Sequence, residues 1–174
     1  FQMGLRLAAD EEPNFEFYTS RLGIRYGDVI DYYQNRIKNN SKGELKMLHY
    51  FINTGIRDTA YYWSELNRFI SKYCELKKIC HELDSIDIGG GFPSKNSLVF
   101  EYDYAYMAEQ IIENIQTICN KQNVPVPNIF TEFGSYTVAE SGATIYSVLD
   151  QKLQNDKELW YMMDGSFITH IPDV

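Results

Sequence analysis

The chain has 174 residues, enough for one domain with a sizeable core, and 44% of them are hydrophobic. Its 24 acidic and 16 basic side chains give a formal net charge of −8, which argues against nucleic acid and anionic membranes as partners. No apolar run approaches the ~18 residues of a membrane span, and no stretch reads as a signal peptide.

The three cysteines, Cys74, Cys80 and Cys119, are an odd number and lack the spacing of a zinc site. They lie in helix-like segments beside apolar residues. We therefore predict reduced packing residues in a cytoplasmic protein, and no metal site.

Four strand-like segments alternate with helix-like segments in the first 135 residues. The strands are predicted to begin near residues 3, 45, 84 and 127, about 40 residues apart, with a helix after each of the first three. Asp28, either Asp58 or Thr59, and Asp103 are predicted to cap these helices. Strands and helices that alternate in this way indicate parallel βα units.

The pattern changes after Ser135. Residues 142–151 and 159–163 are predicted strands with a hairpin turn at 155–158 and no helix between them. We therefore expect a βα region over residues 1–141 and a β-rich region over 142–174. Four βα units do not close a barrel, so two interpretations stay open: half of a (β/α)8 barrel followed by the start of a β domain, or a small doubly wound domain. The start at Phe1 and the ending after Ile171 favour the first, so the chain is expected to be a fragment.

The third predicted strand runs into three consecutive glycines, Gly89, Gly90 and Gly91. Glycine permits positive φ and has no Cβ, so the backbone N–H groups of such a turn can surround a phosphate at the carboxyl end of a strand. The alternative is a tight strand-to-helix turn without a ligand.

Residues 87–93, Asp-Ile-Gly-Gly-Gly-Phe-Pro, match the phosphate loop of the fold type III pyridoxal-phosphate decarboxylases almost letter for letter. Residues 48–54 and 132–135 resemble two further motifs of that family, which includes ornithine, diaminopimelate and arginine decarboxylases. Residues 56–60 look most like biosynthetic arginine decarboxylases. The resemblance implies the C-terminal half of an alanine-racemase-like (β/α)8 barrel followed by the beginning of a β-rich domain. It also implies pyridoxal 5'-phosphate as cofactor, a basic amino acid as substrate, arginine decarboxylation to agmatine in polyamine biosynthesis, and a homodimer or higher homo-oligomer.

The resemblance also implies roles for individual residues. Glu132 would pair with the ring nitrogen of the cofactor, and Arg6 would line the active site unless it forms a structural salt bridge. Asp173 would contact the basic end of the substrate, unless it is an exposed carboxylate. The positions that match the family's cofactor-binding residues are Gly89, Gly90, Gly91, Glu132, Phe51, Thr54, Gly134 and Ser135.

Three positions depart from the family pattern. Phe51 stands where the family has a ring-stacking histidine, Asn53 and Thr54 replace a Gly-Ser pair, and Ser135 replaces a phosphate-binding arginine. These changes leave open a non-catalytic homologue that binds a partner. The family's Schiff-base lysine would precede Phe1 and its cysteine–aspartate pair would follow the chain, so these 174 residues are expected to be inactive alone. His49 and His170 match no catalytic role and are predicted to be core or surface residues.

Overall fold

A parallel sheet of four strands is the centre of the computed structural model, which describes residues 1–9, 20–52, 54–95 and 101–166. The strands are neighbours in the same order as in the sequence, and each pair is parallel, as predicted. They are β1 (Gln2–Arg6), β2 (Glu44–His49), β3 (Ser85–Asp87) and β4 (Asn128–Phe130).

Helices follow the strands. They are α1 (Val29–Tyr32), α2 (Ala60–Lys77), α3 (Tyr104–Lys121) and α4 (Gly134–Val138). A π-helical turn, Tyr33–Ile37, continues α1, and a 3-10 turn, Ala139–Ser141, continues α4. None of the helices within the described ranges is both long and apolar enough to cross a membrane.

Two of the predicted helix caps are confirmed and one is wrong. The Thr59 hydroxyl accepts a hydrogen bond from the Tyr62 N–H, and the Asp103 carboxylate accepts one from the Tyr106 N–H. Asp28 occupies the N-cap position of α1, but its side chain accepts no capping hydrogen bond from the N–H groups of the first turn. Its backbone is already helical at φ −95° and ψ −13°, whereas a capping side chain needs an extended backbone to reach the first free N–H groups.

The hydrophobic core lies between the sheet and the helices. Leu5, Leu48, Ile86 and Ile129 are in register across the four strands and so share one face of the sheet. Leu48 and Ile86 are completely buried, as is the apolar face of α2. All three cysteines are free and buried, which confirms them as packing residues, and the Sγ atoms of Cys74 and Cys119 lie 3.9 Å apart.

The chain divides into two compact units, Phe1–Ala139 and Glu140–Val174. The second contains β5 (Val148–Gln154) and β6 (Glu158–Met163), which pair antiparallel. Asn155 and Asp156 have positive φ values of 54° and 55°, as a tight hairpin turn requires, so the predicted hairpin is confirmed. The first strand begins at Val148, however, because residues 142–147 do not join the ladder. Four parallel βα units followed by an antiparallel hairpin are the elements expected of half of a (β/α)8 barrel and the beginning of a β-rich domain.

Candidate active site

The carboxyl ends of the four parallel strands bring the predicted site residues to one edge of the sheet. Arg6, His49 and Asp87 are register partners at the ends of β1, β2 and β3. Just beyond them, the Glu132 N–H donates a hydrogen bond of 3.0 Å to the Gly89 carbonyl oxygen. The glycine turn and Glu132 thus share the carboxyl edge of the adjacent strands β3 and β4.

The three glycines allow neighbouring loops to touch backbone to backbone. A Cβ atom on Gly90 would lie 2.8 Å from the Glu132 carbonyl oxygen, and one on Gly91 would lie 2.9 Å from the Cα atom of Gly55. Gly91 also has a φ of +115°, which side-chain-bearing residues rarely adopt. The loops after β2, β3 and β4 can therefore meet only because this turn lacks side chains.

The N–H groups of the turn are not all available to a ligand. Gly89 donates its N–H to the Asp87 Oδ1 atom at 2.8 Å, so this group is already hydrogen-bonded, and phosphate binding by Gly89 stays a prediction. Within the described part of the chain, the N–H groups of Gly90 and Gly91 find no acceptor. Two free N–H groups in a turn that a Cβ would fill fit the phosphate of pyridoxal phosphate.

Glu132 lies beside a histidine that sequence reasoning had given no role. The Nε2 atom of His49 is 3.6 Å from the Glu132 Oε2 atom, and the two side chains are 20% and 57% exposed. One ligand atom each from His49, Asp87 and Glu132 all lie within 4.8 Å of one another. The sequence did contain one indication that His49 belongs to the site. His49 is the last residue of a parallel strand, and the carboxyl ends of such strands meet at one edge of the sheet.

Arg6 extends toward Phe51, with its guanidinium carbon 5.7 Å from the centre of the ring. Its Nε atom is buried without a hydrogen-bond partner, and no carboxylate of the described residues lies within salt-bridge distance. Phe51 itself packs against the turn, since its Cα atom would lie 3.3 Å from a Cβ on Gly89. Arg6 therefore lies beside Phe51 at the carboxyl ends of the strands, and its active-site role stays a prediction.

The other predicted site residues lie nearby or outside the described residues. Thr54 precedes Gly55, which touches Gly91. The Gly134 N–H donates to the Glu132 carbonyl oxygen at 2.7 Å, and Ser135 follows it on an exposed turn of α4. Asn53, Asp173 and His170 fall outside the described residues.

An aromatic cluster, which the sequence did not predict, joins the loops that follow β2, β3 and β4. It consists of Phe92, Tyr102, Tyr104, Phe133 and Tyr136. The rings of Phe92 and Phe133 stack with centroids 4.1 Å apart, which joins the loops after β3 and β4. The Tyr102 hydroxyl donates to the Ile56 carbonyl oxygen at 2.9 Å, which adds the loop after β2. Burial raises the pKa of Tyr102 to about 12, so this hydroxyl stays protonated at neutral pH.

Comparison with known proteins assigns the family. Residues 1–139 match the family model described as pyridoxal-dependent decarboxylase, pyridoxal binding domain, and the chain therefore belongs to this family. The family's cofactor is pyridoxal 5'-phosphate, and the free N–H groups of the glycine turn beside Glu132 fit it.

Three relatives illustrate the similarity. The biosynthetic arginine decarboxylase of Geobacter sp. (strain M21) is 26% identical over 165 residues, which are 88% of this chain and 26% of that protein. The lysine decarboxylase structure from Selenomonas ruminantium has a TM-score of 0.70 and 20% identity, over 95% of this chain and 42% of that one. The biosynthetic arginine decarboxylase structure from Campylobacter jejuni has a TM-score of 0.55 and 21% identity, over 76% of this chain and 22% of that one. The two structures confirm the fold, and the chain spans about a quarter of the length of the curated relatives it matches.

Proposed function

We propose that the full-length protein is a pyridoxal-phosphate-dependent decarboxylase that converts arginine to agmatine for polyamine biosynthesis. The observation that carries this proposal is the common edge formed by the glycine turn and Glu132, in a domain of the pyridoxal-dependent decarboxylase family. Similarity to biosynthetic arginine decarboxylases over 88% of the chain supports arginine as the substrate. A cytoplasmic location and a homo-oligomer stay predictions.

Different residues at the carboxyl ends of the strands would bind different parts of the cofactor. The N–H groups of Gly90 and Gly91 would bind the phosphate, with Thr54, Gly134 and Ser135 around it. Phe51 would stack on the ring from beside the glycine turn. The N–H group of Gly89 is bonded to Asp87, so Gly89 would contribute by lacking a side chain, which lets the turn pack against the Tyr50 backbone.

Glu132 would supply the charge at the ring nitrogen. When bound, the protonated cofactor ring accepts the electron pair that remains on the substrate after CO₂ leaves. A carboxylate at the ring nitrogen keeps that nitrogen protonated, so Glu132 would set the strength of the electron acceptor. Arg6, whose guanidinium reaches Phe51, would add positive charge on the same side of the sheet. Asp173 would bind the cationic end of the substrate.

In this family the lysine that carries the cofactor lies on the first strand of the barrel. None of the lysines in the chain matches it, so we expect the 174 residues to be inactive alone.

The proposal is tested with the full-length protein loaded with pyridoxal phosphate. CO₂ release is measured on arginine, ornithine, lysine and diaminopimelate, and kcat/KM is compared among the four. Arginine is expected to give the highest value. A higher value for another amino acid would reassign the substrate, and cofactor binding without CO₂ release from any of the four would indicate the partner-binding homologue that the Phe51 and Ser135 departures leave open.

A further inference from the structure

His49 lies in a row of polar side chains at the carboxyl ends of β1, β2 and β3. Arg6 is its register partner on β1 and Asp87 is its partner on β3. Register partners on parallel strands project to the same face, so the imidazole is placed between a cation and a carboxylate. The opposite face carries the buried Leu48 and Ile86, so His49 belongs to the site and not to the core below the sheet.

The Nε2 atom of His49 is buried and has no hydrogen-bond partner among the described residues. A buried polar atom without a partner is destabilising and rare in folded proteins, so a partner for this atom has to be sought. The nearest acceptor is the Glu132 carboxylate, 3.6 Å away, which is slightly longer than a hydrogen bond. Because the Glu132 side chain is 57% exposed, it has room for a small rotation that would close this gap.

Charge also favours this contact. The ligand atoms of Asp87 and Glu132 lie within 4.8 Å of each other, and two carboxylates at that distance repel. Asp87 is held in position because its Oδ1 atom accepts the Gly89 N–H. An N–H donor on His49 would offset this repulsion.

We propose that His49 is a positioning residue, whose Nε2–H group holds one oxygen of Glu132 and leaves the other oxygen for the ring nitrogen of pyridoxal phosphate. This inference rests on the proposed role of Glu132. Asp87, whose ligand atom lies within 4.8 Å of those of His49 and Glu132, accepts the N–H of Gly89 in the glycine turn.

The test uses full-length protein and pyridoxal phosphate labelled with ¹⁵N at the ring nitrogen. His49→Gln and His49→Met are a matched pair, because the two side chains have similar shapes and only glutamine donates a hydrogen bond. His81→Met is the control, since His81 is an exposed histidine before the amino end of β3. The cofactor dissociation constant and the ring ¹⁵N chemical shift are measured without substrate, also in the Glu132→Ala background.

We expect His49→Met to move the ¹⁵N shift toward that of Glu132→Ala and to weaken cofactor binding by no more than Glu132→Ala does. His49→Gln should stay near wild type, and His49→Met should add nothing to Glu132→Ala. An unchanged ¹⁵N shift in His49→Met, or effects that add fully to Glu132→Ala, would overturn the inference and leave the proposed function intact. Wild-type protein that binds no labelled cofactor would overturn both.

Discussion

A Cβ atom on Gly90 would lie 2.8 Å from the backbone carbonyl oxygen of Glu132, closer than real Cβ contacts allow. The turn between β3 and α3 thus fixes where the acidic residue of the neighbouring loop can lie. The Glu132 N–H also donates a hydrogen bond of 3.0 Å to the Gly89 carbonyl oxygen, which holds the same two loops together.

Gly90→Ala is therefore expected to displace the glycine turn, whose N–H groups would bind the phosphate, and to weaken cofactor binding by at least about tenfold, because the clash is with backbone that cannot rotate away. Cofactor absorbance titration of the full-length protein measures the effect. Gly27→Ala is the matched control, since a Cβ there meets no atom within 4 Å. Equal cofactor affinity in the two variants would show that the close approach of the two loops does not shape the cofactor site.

Ser135→Arg is expected to tighten binding of pyridoxal phosphate. Ser135 is exposed at the start of α4, next to Gly134 and Glu132, and arginine would add a charge-assisted contact to the phosphate. Such a contact contributes about 1.5–3 kcal/mol, or roughly ten- to a hundredfold in the dissociation constant. Ser41→Arg adds the same charge before the amino end of β2, at the opposite edge of the sheet. Tightening by Ser41→Arg to the same extent would attribute the effect to net charge alone.

Glu132→Ala is expected to separate binding from turnover. The phosphate contacts remain, so much of the cofactor affinity should persist, whereas kcat should fall about a hundredfold or more because the ring nitrogen loses its charged partner. Steady-state CO₂ release on cofactor-saturated protein measures this, with Glu109→Ala on the exposed surface of α3 as control. A Glu132→Ala variant with wild-type kcat would remove Glu132 from the mechanism.

Tyr102→Phe is expected to change stability at alkaline pH. The pKa of Tyr102 is raised from 10.0 to about 12, chiefly by burial, so the folded state holds its proton more tightly than the unfolded state. The resulting stabilisation is complete below pH 10 and is lost as the pH rises toward 12. Urea unfolding of the full-length protein between pH 8 and pH 12 (about the range spanned by the two pKa values) should therefore show a smaller loss of stability for Tyr102→Phe.

At neutral pH Tyr102→Phe should be less stable than wild type by about 1 kcal/mol, because the hydrogen bond to the Ile56 carbonyl oxygen is lost. Tyr106→Phe, which changes an exposed tyrosine on α3, is the control. The same alkaline decline in Tyr102→Phe and wild type would refute the linkage to Tyr102.

The parallel sheet and the position of Glu132 could be predicted because they depend on local patterns. Strand spacing, the caps at Thr59 and Asp103, and the motif around Gly90 are each visible within a few residues. They need no knowledge of distant contacts, and the parallel arrangement follows from helices between strands.

Contacts between residues far apart in the sequence could not be predicted in this way. The pairing of His49 with Glu132 depends on strand register and on the bend of the loop after β4. The Asp87 carboxylate takes the Gly89 N–H that the motif alone assigns to phosphate, because the chain folds back over two residues. The stacking of Phe92 on Phe133 likewise exists only once both loops are in place.

The most direct measurement is a crystal structure of the full-length protein with pyridoxal phosphate. The ring nitrogen is expected within hydrogen-bond distance of the Glu132 carboxylate, with the phosphate against the N–H groups of Gly90 and Gly91 and the ring over Phe51. A cofactor bound elsewhere, or a Glu132 side chain directed away from the ring nitrogen, would contradict the assignment of this edge of the sheet as the cofactor site.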